Sequence, residues 1–377
     1  MSINLLKNRS ISASSLKWRR LPQNGITLRQ NIITTGNKIP SRHTITNTHY
    51  LLGVLFTASG LIFAQLVNWY FPQLAEVEIK TYEINLFEVV PTKLNIIGAY
   101  SIVLFAVIFI YLILGVYSYF DPDLRIKYLQ RAPFRFVSGI GLALWEILGT
   151  KTLLLPQPFF PGPSRILEAL LMEGGFIFEN TLYSLRLFTV GFVSGVVIGV
   201  VTGILIGWFP KVYYWVYPVL KITGVIPAVA WMPFALTLFP TPFLAATFLI
   251  VISAWFPVAF LTAQGIASTQ KVYYEVAKTL GARTSFLVFR VAIPNAMPHI
   301  FTGISTANAY AFTTLVISEM MGQPGGLGYY INASRVWSAY YKVFAAIIIM
   351  AILFSLIMWG IGAIQRSALQ WQKGLVK

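Results

Sequence analysis

The sequence predicts an all-α polytopic membrane protein, and three observations carry that prediction. Apolar residues make up 56% of the chain and charged residues only 11%, against roughly 25% charged in an ordinary soluble domain. The apolar residues are gathered into eight runs, each about 20 residues or longer and so able to cross the hydrocarbon layer as a helix. Prolines within the runs, Pro227, Pro233 and Pro257, are tolerated in membrane helices whose neighbours satisfy the freed carbonyls, so they point to kinked helices packed in a bundle.

Residues 1–50 hold eight of the basic residues and no acid, with many Ser, Thr and Asn. They read as a mobile basic tail. The composition also fits an organellar transit peptide, whereas a secretory signal is disfavoured because the first apolar run starts only at Leu51. The expected spans follow at 51–71, 96–120, 136–155, 187–208, 214–239, 242–263, 298–320 and 343–364. Glu146 and Lys151 interrupt the third, where they read as helix-end anchors. Lys221 and two prolines interrupt the fifth.

Counting Lys and Arg in alternate loops gives the orientation. The side holding both termini collects twenty of the 28 basic residues, among them Arg125, Lys127, Arg131, Arg135, Lys278, Arg283 and Arg290. The other side collects six and most of the acids, including Glu76, Glu78, Glu83, Glu88 and Glu173. Both termini are therefore expected in the cytoplasm. The net charge of +16 is accounted for by this asymmetry, without nucleic acid.

The chain has no cysteine, and its three histidines, His43, His49 and His299, are scattered. Disulfides and thiolate metal sites are excluded, no metal-ligand spacing exists, and no nucleophile or catalytic constellation is found. The chain contains no GxxxxGK[ST] sequence, so any ATP hydrolysis belongs to another subunit. The glycines of GQPGGLG, 322–328, follow no strand and match no phosphate-binding pattern; a tight external turn after the seventh span is expected.

Two stretches inside the spans are informative. Gly191, Gly195, Gly199, Gly203 and Gly207 recur every four residues, which draws a slowly winding groove with almost no side chain on one helix. Packing inside one subunit is the favoured reading over a subunit interface. The LPQPFFPGPS segment, 155–164, is too proline-rich for regular structure; Ser164 then reads as an N-cap for a surface helix from Arg165 to Met172. Charged groups at membrane depth face partners or water. Glu319 is thus a candidate for the translocation path or for a structural hydrogen bond, and Lys221 for snorkelling or for attracting an anion.

The longest polar interval in the membrane-spanning part, 264–298, contains YYEVAKTLGARTSFLVFRVAIPNAMP from Tyr273. Val272, Val276 and Leu280 fall at i, i+4 and i+8 of one helix, widened by Tyr273 and Ala277. Gly281 ends that helix, and a second short helix through Leu287, Val288 and Val291 is expected to stop at Pro294. Spacing alone leaves two uses for the apolar face, a groove on another protein or the lipid interface. Glu275, Ala277, Gly281, Val291, Ile293 and Pro294 resemble the cytoplasmic signature of ABC importer permeases, Glu-Ala-Ala, three residues, Gly, nine residues, Ile-x-Leu-Pro. Val276 replaces the first alanine, Val291 the isoleucine and Ile293 the leucine. VIPAVAWMP, 225–233, and ISEMMGQPGGLG, 317–328, add likeness to the nitrate, sulfonate, taurine and bicarbonate group.

The resemblance covers residues from about Leu142 onward and implies a type I importer permease core of six transmembrane helices within 131–377, with two additional helices in 51–130 around an external acidic loop. It implies a bacterial inner-membrane protein that forms the path for a small anionic solute, without catalysis or bound cofactor of its own. Two ATP-binding cassette subunits, carrying ATP and Mg, would dock on Tyr273, Glu275, Val276, Ala277, Leu280, Gly281, Ile293 and Pro294. A second permease copy and an external substrate-binding protein would complete the complex. The competing expectations are an ABC permease for an uncharged vitamin precursor, and a secondary transporter or channel with no ATPase.

Overall fold

A computed structural model describes residues 47–72, 82–86, 90–152, 154–156 and 158–371. Most of the expected basic tail, 1–46, and much of the acidic loop lie outside the described residues. The described residues are helical apart from turns, short connections and one hairpin, β1 Tyr82–Leu86 paired antiparallel with β2 Val90–Leu94, in the register Tyr82↔Leu94 to Leu86↔Val90. That hairpin corrects the reading of 72–95 as loop. β1, YEINL, alternates apolar and polar residues with period two, but β2, VPTKL, does not, and neither stands out beside long apolar runs.

Among the described residues six helices are long and apolar enough to cross a membrane, or seven if one bent pair is counted. α1 (Asn47–Tyr70) and α2 (Ile96–Tyr119) are the first two expected spans. α3 (Pro122–Gln130) follows, opened by Asp121, whose carboxylate accepts the Asp123 N–H at 2.8 Å. The third expected span falls on α4 (Ala132–Glu146), continued by a π-turn, Ile147–Lys151; it is not among the six helices long and apolar enough to cross. α5 (Pro163–Met172) and α6 (Gly174–Trp208) come next.

The fifth expected span, 214–239, is not one helix. α7 (Pro210–Val225) stops before Pro227, and a 3₁₀ turn, Ala228–Trp231, leads into α8 (Met232–Leu238); the two arms are bent by 99°. Pro227 has no N–H to give, and it pushes Ile226 out of helical conformation, to φ −83° and ψ 119°. Pro257, by contrast, lies inside the unbroken α9 (Pro242–Ala267).

The chain divides into two compact units. In one, 47–59 meets 110–136. Tyr50 donates its hydroxyl to the Gly115 carbonyl at 2.6 Å, and Gly53 leaves room for Leu129, whose Cδ2 would lie 2.1 Å from an added Cβ. Two of the four basic residues expected between the second and third spans stack on rings here: Arg125 on Tyr119, at 4.6 Å from the centroid, and Arg135, in α4, on Tyr128, at 4.2 Å.

The other unit, 60–109 with 137–371, contains the main bundle. Gly139 lies against the Gly60 backbone, 2.4 Å from an added Cβ to the Gly60 carbonyl carbon. Glu146 and Lys151 are buried and not exposed helix ends. The Glu146 carboxylate accepts the Ser164 N–H at 3.0 Å and the Ser164 hydroxyl at 2.7 Å, so it caps α5 from a distance while Gly162, not Ser164, holds the N-cap position. Lys151 donates to the Asn68 carbonyl at 3.4 Å.

The core lies among α6, α9 and α12 (Ile293–Met320), around Phe188, Phe192, Ile250, Val258, Ala307 and Leu315. Each of the five spaced glycines of α6 meets α9. Cβ atoms added at Gly191, Gly195, Gly199, Gly203 and Gly207 would lie 2.7, 2.8, 2.7, 2.5 and 2.7 Å from Cβ of Ile250, Ala254, Val258, Thr262 and Ile266, residues themselves four apart. Two helices whose facing rows have the same period stay in register along the whole span. Trp255 also donates its indole N–H to Thr202 Oγ1 across the seam at 2.8 Å. On the other side of α9, Gly265 meets Ala296 and His299 of α12, and Gly303 of α12 meets Pro257 and Val258.

Replacing Gly203 with Val would push Thr262 and the Ala259 carbonyl outward, at about 1–3 kcal/mol for overpacking. A lowered thermal midpoint of the detergent-solubilised protein is expected, with Thr202→Val, which removes the indole's acceptor and the hydroxyl's own bond to the Ile198 carbonyl without overpacking the seam, costing less. Equal midpoints for wild type and Gly203→Val would mean that the helices do not meet there.

Candidate coupling site

The polar interval folds into α10 (Lys271–Thr279), α11 (Thr284–Phe286) and a π-turn, Leu287–Ala292, which runs straight into α12. α10 ends on Gly281, at φ +79°. The Gly281 N–H bonds to the Lys278 carbonyl at 2.9 Å and the Ala282 N–H to the Ala277 carbonyl at 3.0 Å, the paired bonds of a Schellman cap. Only a residue free to take the left-handed region closes the helix in this way without cost. Nothing lies within 4 Å of an added Cβ at Gly281, so the demand for glycine is torsional and not steric.

Pro294 does not stop the second helix, contrary to the sequence reading. Ile293 bonds back five residues to the Val288 carbonyl, and this wider π-turn admits a proline ring that a regular turn would exclude. From Thr284 to Met320 the chain is one helical rod of 37 residues.

Few contacts hold α10 to the bundle, and each is specific. Tyr274 sets its ring edge-on to Trp208 at the end of α6, with centroids 5.5 Å apart. Asn295 donates to Thr269 Oγ1 at 3.0 Å, bracing the approach to α10 against α12. Ile266, Ala292, Ala296 and Ile300 form the buried cluster beneath, and Ile293 packs against it.

The other face of α10 is uncovered. Val272, Tyr273, Val276 and Leu280 are exposed, Leu280 to 83%, as are Phe286 and Phe289. Between α10 and the π-turn all of these except Phe289 border an open cleft of about 950 Å³, with Arg283 and Arg290 among its lining residues. Of the eight residues expected here, Tyr273, Val276, Ala277, Leu280, Gly281 and Pro294 line the cleft. Ile293 turns inward to the cluster, and Glu275 is exposed outside the cleft lining. Trp371, just beyond α14 (Tyr340–Ala368), also lines it. Sequence reasoning missed this residue, because only the path of α14 through the bundle brings it there.

The two charged candidates for the translocation path part company. Glu319 has 0% exposure and accepts the Gly328 N–H at 2.8 Å. With Asn180 on the Gly326 N–H and Ser184 on the Leu327 N–H, at 2.9 and 2.8 Å, it holds the 322–328 turn, while Gln323 bonds Tyr183 and the Pro242 carbonyl. Glu319 thus makes a structural hydrogen bond of the kind its alternative reading expects: the carboxylate is enclosed by the turn it supports, which leads into α13 (Leu327–Val336). Lys221 is exposed on α7.

The fold is thus a bundle of apolar helices with an exposed apolar foot, capped by a left-handed glycine. Residues 195–370 match the family of binding-protein-dependent transport system inner membrane components. The chain is 29% identical to a putative aliphatic sulfonates transport permease of Bacillus subtilis, over 62% of this chain and 85% of the relative. It is 28% identical to a taurine transport system permease of Escherichia coli, over 62% and 87%, and 28% identical to a nitrate import permease of Synechococcus elongatus, over 55% and 76%. Inward-facing forms of the MetNI methionine ABC transporter align over 52% of this chain and 97% of theirs, at 21% identity and a TM-score of 0.45. Over its C-terminal part the chain is thus similar to the permeases of binding-protein-dependent transport systems, among them sulfonate, taurine and nitrate permeases.

Lys278 and Arg283 flank the glycine cap and report on it through tryptic cleavage. Gly281→Val is expected to cost about 1–2 kcal/mol in the left-handed region, raising the open population and the cleavage rate of the segment roughly tenfold. Gly281→Asn, with a residue that visits that region, is expected to stay near the wild-type rate. Equal rates for the two variants would remove the torsional role.

Proposed function

We propose that this chain is the permease subunit of an importer in a bacterial inner membrane, with both termini cytoplasmic, and that ATP-binding cassette subunits dock in the cleft beside α10. The observation that carries the proposal is the uncovered apolar cleft around Val276, Leu280 and Phe286, on the side with most basic residues. An amphipathic helix lying in lipid would spread its apolar face flat against the bilayer. Here that face borders a concave cleft, which suits a protruding element of another protein.

In this reading the chain binds no cofactor and catalyses no reaction; ATP and Mg belong to the partner subunits. Two copies of the chain would enclose the path, and an external substrate-binding protein would deliver the solute. Closure of the ATP-binding subunits pulls on α10. The pull passes through the Tyr274–Trp208 contact to α6 and through the continuous 284–320 rod to α12. The bundle thereby shifts between states that differ in affinity for the partner's conformations.

The solute is a small oxyanion or sulfonate, after the sulfonate, taurine and nitrate relatives. A second reading rests on a formylaminopyrimidine transport permease of Halalkalibacterium halodurans, 26% identical over 62% of this chain, which favours an uncharged vitamin precursor. Ligand binding by the cognate external protein discriminates the two.

Crosslinking tests the docking. With Ala277→Cys in the purified complex, a bond to an ATP-binding subunit is expected, and Leu280→Asp is expected to abolish both that bond and ATP-driven uptake. Uptake at the wild-type rate by Leu280→Asp, or ion-gradient-driven flux by this chain alone, would contradict the reading.

A further inference from the structure

The break between α7 and α8 opens onto a cavity of about 440 Å³, lined among others by Thr223, Pro227, Ser253, Phe256, Tyr310 and Thr313. Its depth follows from α9: Ser253 and Phe256 lie near the middle of that 26-residue helix. Irregular backbone at membrane depth survives only where it is buried in protein or lines a water-filled cavity, because lipid satisfies no carbonyl. The last carbonyls of α7 have no helical partner, and Pro227 removes the next N–H that would have reached back to them.

A second observation comes from α12. Thr302, Tyr310 and Thr313 are exposed and Thr306 is half-buried, and their spacing of four, four and three places them on one face. The line of hydroxyls runs from near the start of the span to the cavity. Other exposed faces differ. On α14 the surface around Ile348, Ile352, Leu356 and Trp359 is mostly hydrocarbon and indole, with one hydroxyl, Ser355, bonded back to the Ala351 carbonyl. The threonine hydroxyls bond back to carbonyls four residues earlier, as at Thr302 to Pro298 and Thr313 to Ala309, an arrangement lipid tolerates. Tyr310, 56% exposed at the cavity, has a hydroxyl too far from its own backbone for such a bond. No charged side chain lines the cavity, and Lys221 lies outside its lining.

We infer that this cavity, continued by the hydroxyl line of α12, is a water-filled subsite for a small polar solute, held by neutral hydroxyls and backbone carbonyls without a fixed countercharge. The inference rests on the permease reading and deepens it: charge selection is made elsewhere, and this segment passes oxyanions and uncharged hydrogen-bonding solutes alike.

The chain has no cysteine, so single cysteines report directly. Thr306→Cys and Thr313→Cys, each in the assembled transporter in membranes, would be treated with a cationic and with an anionic methanethiosulfonate, beside Leu356→Cys on the apolar face. Both positions are expected to react at least about tenfold faster than Leu356→Cys, since only hydrated thiols ionise. The two reagents are expected to react with the ratio they show toward a free thiol. Three results would overturn the inference: both positions as inert as Leu356→Cys; a spontaneous disulfide between two copies at Thr306→Cys with no reaction toward reagent, marking a subunit seam; or strong preference for the anionic reagent. Fast, charge-indifferent reaction that is the same with and without ATP would support the subsite and count against the coupling reading, so the two failures are separable.

Discussion

The close approach of α6 to α9 is the constraint on which the rest of the structure depends. In a membrane no water is expelled when two helices meet, so association rests on dispersion and on how nearly the backbones touch. Five glycines spaced by four, opposed by Ile250, Ala254, Val258, Thr262 and Ile266, give contact along the span with one repeating fit. A single pair of helices so joined has no freedom to slide by less than a turn. α12 then closes on the far side of α9 through Gly265 and Gly303, making a three-helix unit.

That unit gives the foot something to push against. α10 is attached at its two ends, by Tyr274 on Trp208 and by the chain that becomes the 284–320 rod. A foot held by a few aromatic and hydrogen-bonded contacts tilts easily, while the rod and the seam do not bend with it. The same separation places the irregular backbone at the α7–α8 break beside the rod's hydroxyl face, where a shift of α12 relative to α7 would alter the cavity's shape. In the proposed reading, docking, transmission and passage fall to three different kinds of packing: exposed apolar, glycine-seamed and hydroxyl-lined.

How much of this was legible in the sequence varies with the range of the interactions. The α10 stripe of Val272, Val276 and Leu280, its glycine stop and the α6 glycine row are periodic signals carried by one helix, and they read directly. Glu146 capping α5 at Ser164, and Trp371 reaching the cleft, are contacts between distant segments that no local pattern encodes. The π-turn at 287–292 misled the reading of Pro294, since nothing in composition separates a five-residue from a four-residue hydrogen bond. Pro227 announced a kink, but its angle is decided by what packs against the two arms. Glu319 was a charge in a span; only the fold shows the turn that surrounds it.

The central claim is that α6, α9 and α12 travel as one body when the foot is pulled. Spin labels at Val197 on α6 and Thr302 on α12, with a further pair joining Val197 to Val276 on α10, measure this in the assembled transporter by pulsed electron resonance. The Val197–Thr302 distance is expected to be the same with and without bound ATP while the distance to α10 changes. A change of several ångströms between Val197 and Thr302 would show the seam opening and contradict the rigid unit.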